Sequence, residues 1–224
     1  MGGFCGIVAT EMRERSQEFW DKFSVLNLFD QVCRVGGIGG RTKAQKIVFL
    51  YELEGQAAGL KSGHYRFFRY HLGPFSAELA NDLNFLKGLG FLTSCWELTD
   101  RGRFLFDYLS PAVSESREAS DALRIANEVS KQYGRHSGID LAHIIYKMNV
   151  PVYDLRGEKQ KVKDILIGLD ILNPVQDKSL REIQVFDEET LKDLEQEFAI
   201  PSDNLKPSSR PFKDTIGRAL AKIS

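Results

Sequence analysis

The sequence predicts a mainly α-helical protein with small β-ribbons. Three observations predict this class: apolar residues recur at helical spacing over most of the chain, aromatic-rich segments suited to strands are short, and glycine or proline separates the segments. Pro111 and the Ser/Glu-rich residues 114–120 mark the main break. We therefore expect two domains, residues 1–112 and 113–224, each of a size common for small domains.

Two helices are predicted at the start of the chain from apolar spacing and glycine breaks. Phe19 and Phe23 belong to a helix-spaced apolar pattern that ends at the glycine-rich segment 36–40. A second apolar pattern runs from Thr42, its expected N-cap, to Gly55, its expected end.

The elements that follow predict a winged helix-turn-helix-like fold for the N-terminal domain. Residues 65–72 are rich in aromatic side chains and predict a strand. Ser76 is placed to cap a helix that runs to about Leu89, residues 91–98 suit a short ribbon, and Thr99 is placed to cap the next helix. The order helix, strand, helix, ribbon, helix is typical of a winged helix.

The C-terminal domain is predicted to be helical, or to be a second winged helix. Periodicity predicts helices over residues 121–133, 139–148, 158–169, 188–198 and 212–223, and a strand over 181–186. The segment Leu166-Ile-Gly-Leu-Asp-Ile-Leu shares four residues with Leu86-Lys-Gly-Leu-Gly-Phe-Leu, 80 positions earlier. This match indicates either a repeated winged-helix plan or chance agreement between two helix ends.

The composition favours an ordinary globular protein: 42% of residues are hydrophobic, 27% are charged, and the formal net charge is −1. No apolar run approaches the roughly 18 residues of a membrane helix and no signal peptide is recognised, so we expect a cytoplasmic protein without membrane association. The three cysteines are unpaired by spacing, and the four histidines are far apart. We therefore expect no disulfide framework, no metal and no cofactor.

No catalytic motif is complete. The segment 36–43 is glycine-rich like a phosphate-binding loop. A Walker loop needs Lys directly after its last Gly, followed by Ser or Thr, whereas this segment has Arg41 and then Thr42. Cys5-Gly-Ile-Val-Ala resembles the start of class II glutamine amidotransferases, yet Cys5 is internal and no glutaminase motif follows. We therefore predict a protein that is not an enzyme.

A cationic stretch is a candidate for binding nucleic acid or another anion. Residues 34–77 contain seven cations and two acids. Five of these cations are the candidate contacts: Arg41, Lys43, Lys46, Arg66 and Arg69. The alternative, which we favour, is a solvated face neutralised by acids elsewhere in the fold.

The predicted helix after Ser76 has a candidate protein-binding face. Steps of three and four residues place Glu78, Asn81, Asp82 and Phe85 on its outward side. Two carboxylates near the start of the helix would oppose DNA phosphates, whereas an outward Phe85 suits a protein contact. In the other interpretation, the N-terminal helix covers Phe85.

Four segments resemble the YwgA-like proteins, which are similar to the Panacea domain of SocA-type antitoxins: Lys43-Ala-Gln-Lys-Ile-Val-Phe-Leu-Tyr, Tyr70-His-Leu-Gly-Pro-Phe-Ser-x-Glu-Leu-Ala-Asn-Asp-Leu, Leu89-Gly-Phe-Leu and Leu98-Thr-x-x-Gly. The resemblance covers residues 41–109. It places Lys46 in the family's first-helix signature and Gly73, Pro74 and Phe75 in the turn before the next helix. It implies a module that neutralises toxins by direct contact.

We therefore expect a protein-interaction module, antitoxin-like or part of phage defence, whose partner is a toxin or a defence-system subunit. The expected contacts are the turn at Gly73, Pro74 and Phe75 and the outward face of the following helix. One alternative is a winged-helix DNA-binding regulator that uses the cationic stretch. A more distant alternative is an amidotransferase-like enzyme acting through Cys5.

Overall fold

The computed structural model describes residues 13–152 and 158–197, and this part of the chain is mainly helical with two small antiparallel sheets. The coarse class predicted from the sequence is therefore confirmed. In chain order the elements are α1 (Arg15–Cys33), α2 (Arg41–Ala57), β1 (Phe67–Tyr70), β2 (Gly73–Phe75), α3 (Ala77–Gly88), α4 (Asp100–Glu115), α5 (Arg117–Tyr133), α6 (Gly138–Tyr146), β3 (Asn149–Val152), β4 (Glu158–Lys161), a 3-10 turn (Val162–Asp164), β5 (Asp170–Leu172) and α7 (Glu188–Glu197).

Helices α1 and α2 lie at the centre of the core. Fourteen of the 19 residues of α1 are buried, and Ile47, Val48 and Leu50 of α2 are fully buried. Helix α5 packs against both α1 and α2, and α6 packs against α2. A helix surrounded by protein on all sides is apolar on most of its faces, as α1 is except for the charged residues described below.

The predicted caps on α3 and α4 are confirmed. Ser76 Oγ accepts a hydrogen bond from the Leu79 amide at 3.2 Å, and Thr99 Oγ1 accepts one from the Gly102 amide at 3.1 Å. The predicted cap on α2 is wrong, because the helix begins at Arg41 with Gly40 in the cap position and continues past Gly55 to Ala57.

The three-stranded sheet joins segments that are far apart in the sequence. Its order is β2-β1-β5, both pairings are antiparallel, and Phe68 of β1 lies opposite Phe75 on one side and Asp170 on the other. The second sheet is the β3–β4 pair, in which Asn149 lies opposite Lys161. The predicted ribbon over residues 91–98 is reduced to an isolated bridge between Leu92 and Leu98.

Several predictions for the second half are wrong. Residues 158–169 form β4, the 3-10 turn and a loop instead of a helix, because residues 158–161 pair with β3. The predicted strand over 181–186 contributes one parallel bridge, from Arg181 to Leu60. The segment 166–172 is a turn leading into β5, whereas its sequence counterpart ends α3, so the match is not a structural repeat.

The expected boundary between residues 112 and 113 falls inside α4, which includes Pro111 and runs to Glu115. One buried apolar cluster contains Leu105 and Leu109 before this point and Ala119, Ile125 and other residues after it. Cys5 and the predicted helix over residues 212–223 lie outside the described residues. Within the described residues, no helix is long and apolar enough to span a bilayer.

Gly102 gives a test of the packing between α4 and the preceding loop. A methyl group at this position would overlap the Phe91 carbonyl oxygen, whereas one at Gly88 of α3 would meet open space. We expect Gly102→Ala to destabilise the protein by about 1–3 kcal/mol through overpacking. Gly88→Ala is the matched control and is expected to be neutral or to stabilise by up to about 1 kcal/mol, because alanine favours helix.

Urea unfolding monitored by circular dichroism measures both variants. Equal free energies of unfolding for Gly102→Ala and Gly88→Ala would contradict the close approach of Phe91 to α4.

Candidate functional site

Two residues of α2 fix the turn that the sequence analysis singles out. Lys46 Nζ donates a 2.7 Å hydrogen bond to the Pro74 carbonyl oxygen. The Gln45 side chain donates to the Ser76 carbonyl oxygen at 2.9 Å and accepts from the Ser76 amide at 2.8 Å. Gly73 has a φ of 93°, a conformation that side chains with a Cβ rarely adopt. The path of the chain from β2 into α3 is thus held by side chains of α2.

The predicted protein-binding face on α3 is only partly a surface. Asn81 is exposed, but Glu78 and Phe85 are half-buried and Asp82 is buried. Phe85 packs beside α1, with Lys22 Nζ 5.5 Å from the centre of its ring. The interpretation in which the N-terminal helix covers much of Phe85 therefore describes the structure better.

The outward placement of Asp82 is wrong, because this carboxylate is a counter-ion for cations in the interior. Asp82 Oδ2 accepts hydrogen bonds at 3.0 Å from Arg13 Nη1 and from the Tyr65 hydroxyl. Its other oxygen lies 3.3 Å from Lys22 Nζ. A buried carboxylate needs such partners, since burial of an unpaired charge costs several kcal/mol.

Most of the five predicted cations do not face solvent. Lys43, Lys46 and Arg69 are buried and donate to backbone carbonyl groups, and Arg66 Nε donates to an Asp170 carboxylate oxygen at 2.7 Å. Arg41 is exposed. Burial lowers the pKa of Lys43, and burial together with the charge of Arg69 lowers the pKa of Lys46 to about 8. These five residues therefore do not form a continuous phosphate-binding surface.

A cationic cleft that was not predicted from the sequence lies beside α6. Its lining residues are His143, Tyr146, Lys147, Lys161 and Lys163, and its volume is about 420 Å³. We call it the cationic cleft. The alternation of lysines at 159, 161 and 163 could have indicated a strand edge, but the apolar spacing around it favoured a helix.

An apolar tip lies at one end of the three-stranded sheet. It consists of Leu72, Leu166 and Ile167, which are 58%, 74% and 56% exposed. Leu72 lies in the β1–β2 turn, and the other two lie in the turn before β5. The Arg69 amide donates to the Leu169 carbonyl at 2.9 Å, and the Arg69 carbonyl accepts from the Gly168 amide at 2.8 Å. These bonds hold the two turns of the apolar tip side by side.

A buried histidine lies between two carboxylates beside the first half of α1. His64 Nδ1 is 2.8 Å from Asp21 Oδ1, and His64 Nε2 is 2.5 Å from Glu182 Oε1. Arg13 Nη1 donates to Asp21 at 2.7 Å, and Lys61 Nζ lies 2.9 Å from Glu182. The His64 side chain is fully buried and both ring nitrogens are engaged, whereas the Glu182 side chain keeps 27% of its surface exposed.

Both neighbours of His64 keep it charged. Burial lowers the pKa of His64, but Asp21 and Glu182 outweigh burial and raise it to about 9. For Asp21 burial acts in the opposite direction and raises the pKa. The positive charges of His64 and Arg13 outweigh burial and bring the pKa of Asp21 below its ordinary value. Within the described residues, no group of three His, Cys, Asp or Glu side chains could hold a metal ion.

The charge on His64 makes stability depend on pH. Histidine in an unfolded chain has a pKa near 6.5, so the folded protein holds this proton more tightly and His64 stabilises it fully below about pH 6.5. This contribution is lost as pH rises through about 9. Between pH 7 and 8 we expect the free energy of unfolding to fall by at most about 1.4 kcal/mol per pH unit. His64→Gln should remove most of this slope and lower stability at pH 6.

Chemical denaturation at several pH values measures the slope, and His136→Gln, at an exposed histidine, is the control expected to keep it. The same slope in His64→Gln and in the unmodified protein would show that His64 does not carry the charge.

Comparison with known proteins finds no match to a family model, to a curated protein or to a solved structure. The likeness to the YwgA-like proteins thus stays a resemblance of sequence motifs.

Proposed function

We propose that this chain is a protein-interaction module rather than an enzyme, an antitoxin-like or phage-defence component that acts in the cytoplasm. The observation that carries the proposal is the apolar tip formed by Leu72, Leu166 and Ile167. The motif resemblance of residues 41–109 supports the antitoxin-like class. The predicted contacts Gly73, Pro74 and Phe75 belong to the same hairpin as Leu72, but Gly73 and Pro74 are buried and Phe75 is half-buried.

The apolar tip has the properties of a docking contact. Exposed apolar side chains on neighbouring turns lower solubility, and groups of them on a surface mark interaction sites. Backbone hydrogen bonds fix both turns, so little conformational entropy is lost when a partner binds. Lys163 precedes Leu166 by three residues and places positive charge beside the tip. The partner that fits is a protein with an apolar recess and an acidic rim.

The DNA-binding alternative has weaker support. A DNA-binding winged helix needs cations that reach the phosphates on either side of its recognition helix. Here Lys43, Lys46 and Arg69 donate to carbonyl groups in the interior. The winged-helix arrangement itself stays a prediction for the N-terminal half, with α3 as its recognition helix.

Replacement of two of the three apolar side chains of the tip should weaken partner binding. We expect Leu166→Ser combined with Ile167→Ser to weaken the complex by about 2 kcal/mol or more, which is about 30-fold in Kd, because buried apolar anchors dominate interface energies. Ile139→Ser is the matched control, because Ile139 is also an apolar side chain that is 68% exposed. Tyr146, which bonds His71 beside Leu72, marks the end of α6 near the tip. Ile139 lies seven residues before Tyr146, about 10 Å away along the helix axis.

The measurement starts with affinity capture from native lysate by the tagged full chain and by each variant, quantified by mass spectrometry. The partner is the protein that the unmodified chain and Ile139→Ser retain and the double variant loses. Calorimetry with the purified partner then gives the Kd. Retention of every captured protein by the double variant would refute the docking role of the apolar tip.

A further inference from the structure

The cationic cleft is lined by four side chains that carry or can carry positive charge, and by one tyrosine. Lys147 directly follows α6, Lys161 ends β4, and Lys163 lies in the 3-10 turn, while His143 is one turn earlier on α6. All four are exposed. No carboxylate lines the cleft among the described residues, and none of the three lysines forms an ion pair there. Within the described residues the lining of the cleft is thus cationic, with Asp140 close enough to interact electrostatically with His143.

The backbone that carries these lysines is fixed. The Val162 amide donates to the Met148 carbonyl at 3.0 Å, which ties the residue between Lys161 and Lys163 to the residue after Lys147. The Val162 side chain is fully buried, and its carbonyl accepts a 3.0 Å hydrogen bond from Arg69 Nε. The three lysines are therefore held beside one another before any ligand binds.

More positive charge lies directly behind the cleft. The Arg69 guanidinium carbon is 4.9 Å from the centre of the Tyr146 ring, and Tyr146 donates its hydroxyl hydrogen to the His71 carbonyl at 2.6 Å. Arg69 Nη1 is buried without a hydrogen-bond partner in the described part of the chain. Lys46, next to Gly73 and within reach of the charge of Arg69, adds to the positive potential of this end of the molecule.

A structural role accounts for only part of this charge. Lys147 follows the last turn of α6, where a cation is stabilised by the negative end of the helix dipole. Lys161 lies in β4, and Lys163 lies in a 3-10 turn of only three residues, which has too few aligned peptide units for a comparable dipole. Like charges held side by side repel one another, and an anion between them removes that cost.

We propose that the cationic cleft binds a phosphate-bearing ligand of nucleotide size. A volume of about 420 Å³ lies within the range of small-molecule sites. Lysine ammonium groups bind phosphate oxygens as point charges through short charge-assisted hydrogen bonds, and Tyr146 gives the cleft an apolar wall. The same chemistry fits a free nucleotide and a phosphate at the end of a nucleic acid. The proposal goes beyond the protein contact at the apolar tip, with which the cleft shares Lys163 but none of the three apolar side chains.

The test is calorimetry of the full chain at physiological ionic strength with four probes: inorganic tripolyphosphate, ATP, a short single-stranded oligonucleotide with a 5′-phosphate, and a polyglutamate peptide. The informative variant is Lys161→Gln with Lys163→Gln. The matched control is Lys131→Gln with Lys178→Gln, which removes the same charge at two exposed lysines outside the cleft. Thermal melting checks that both double variants stay folded, as expected for exposed residues.

We expect tripolyphosphate and ATP to bind the unmodified chain, and the variant in the cleft to weaken both by about tenfold or more while the control leaves them unchanged. Binding of tripolyphosphate and the oligonucleotide but not ATP would also support the site and would assign its phosphate to a nucleic acid. No binding of any phosphate probe overturns the proposal. Equal weakening by the two double variants, or polyglutamate binding as tight as that of tripolyphosphate, overturns it as well, because charge alone would then explain the effect.

Discussion

Helix α1 carries charged side chains into the interior, and the need to pair those charges is the constraint on which the surrounding elements depend. Glu18, Asp21 and Lys22 are buried on a helix that other elements cover on all sides. Their partners come from distant places: Arg13 before the helix, His64 after α2 and Asp82 on α3. Each partner satisfies a charge that would otherwise cost several kcal/mol to bury. The positions of α3 and of the segment near Glu182 therefore follow from α1.

Local features of the fold could be predicted, and pairings across the chain could not. The caps at Ser76 and Thr99 are local, because a hydroxyl group accepts from an amide three residues later. The segment 158–169 has apolar residues at helical spacing, but β3 offers it a pairing partner, and tertiary contacts outweigh propensity. The pairing of Phe68 with Asp170 joins residues about a hundred positions apart, and no periodicity indicates it.

The distribution of charge at the candidate site also depends on contacts between distant parts of the chain, so it could not be predicted from the sequence. A window of sequence counts the cations of residues 34–77, but it does not reveal that Lys43 and Lys46 donate to carbonyl groups inside the protein. The cationic cleft combines Lys147 with Lys161 and Lys163, which are brought together by the β3–β4 pair and by the hydrogen bond from Val162 to Met148. Exposed apolar residues such as Leu166 are equally hidden, because their spacing resembles that of a buried helix face.

The contact between His64 and Glu182 spans 118 positions of the chain, and this separation has a consequence for synthesis. At about 5–20 residues per second, Glu182 leaves the ribosome about 6–24 s after His64. During that interval α1 and α2 have already been synthesised and α3 to α6 follow them, while the histidine still lacks one of its two carboxylates. The buried His64 in the N-terminal half therefore lacks its second carboxylate until Glu182, in the last part of the described chain, has been synthesised. Contacts of such high sequence separation slow folding.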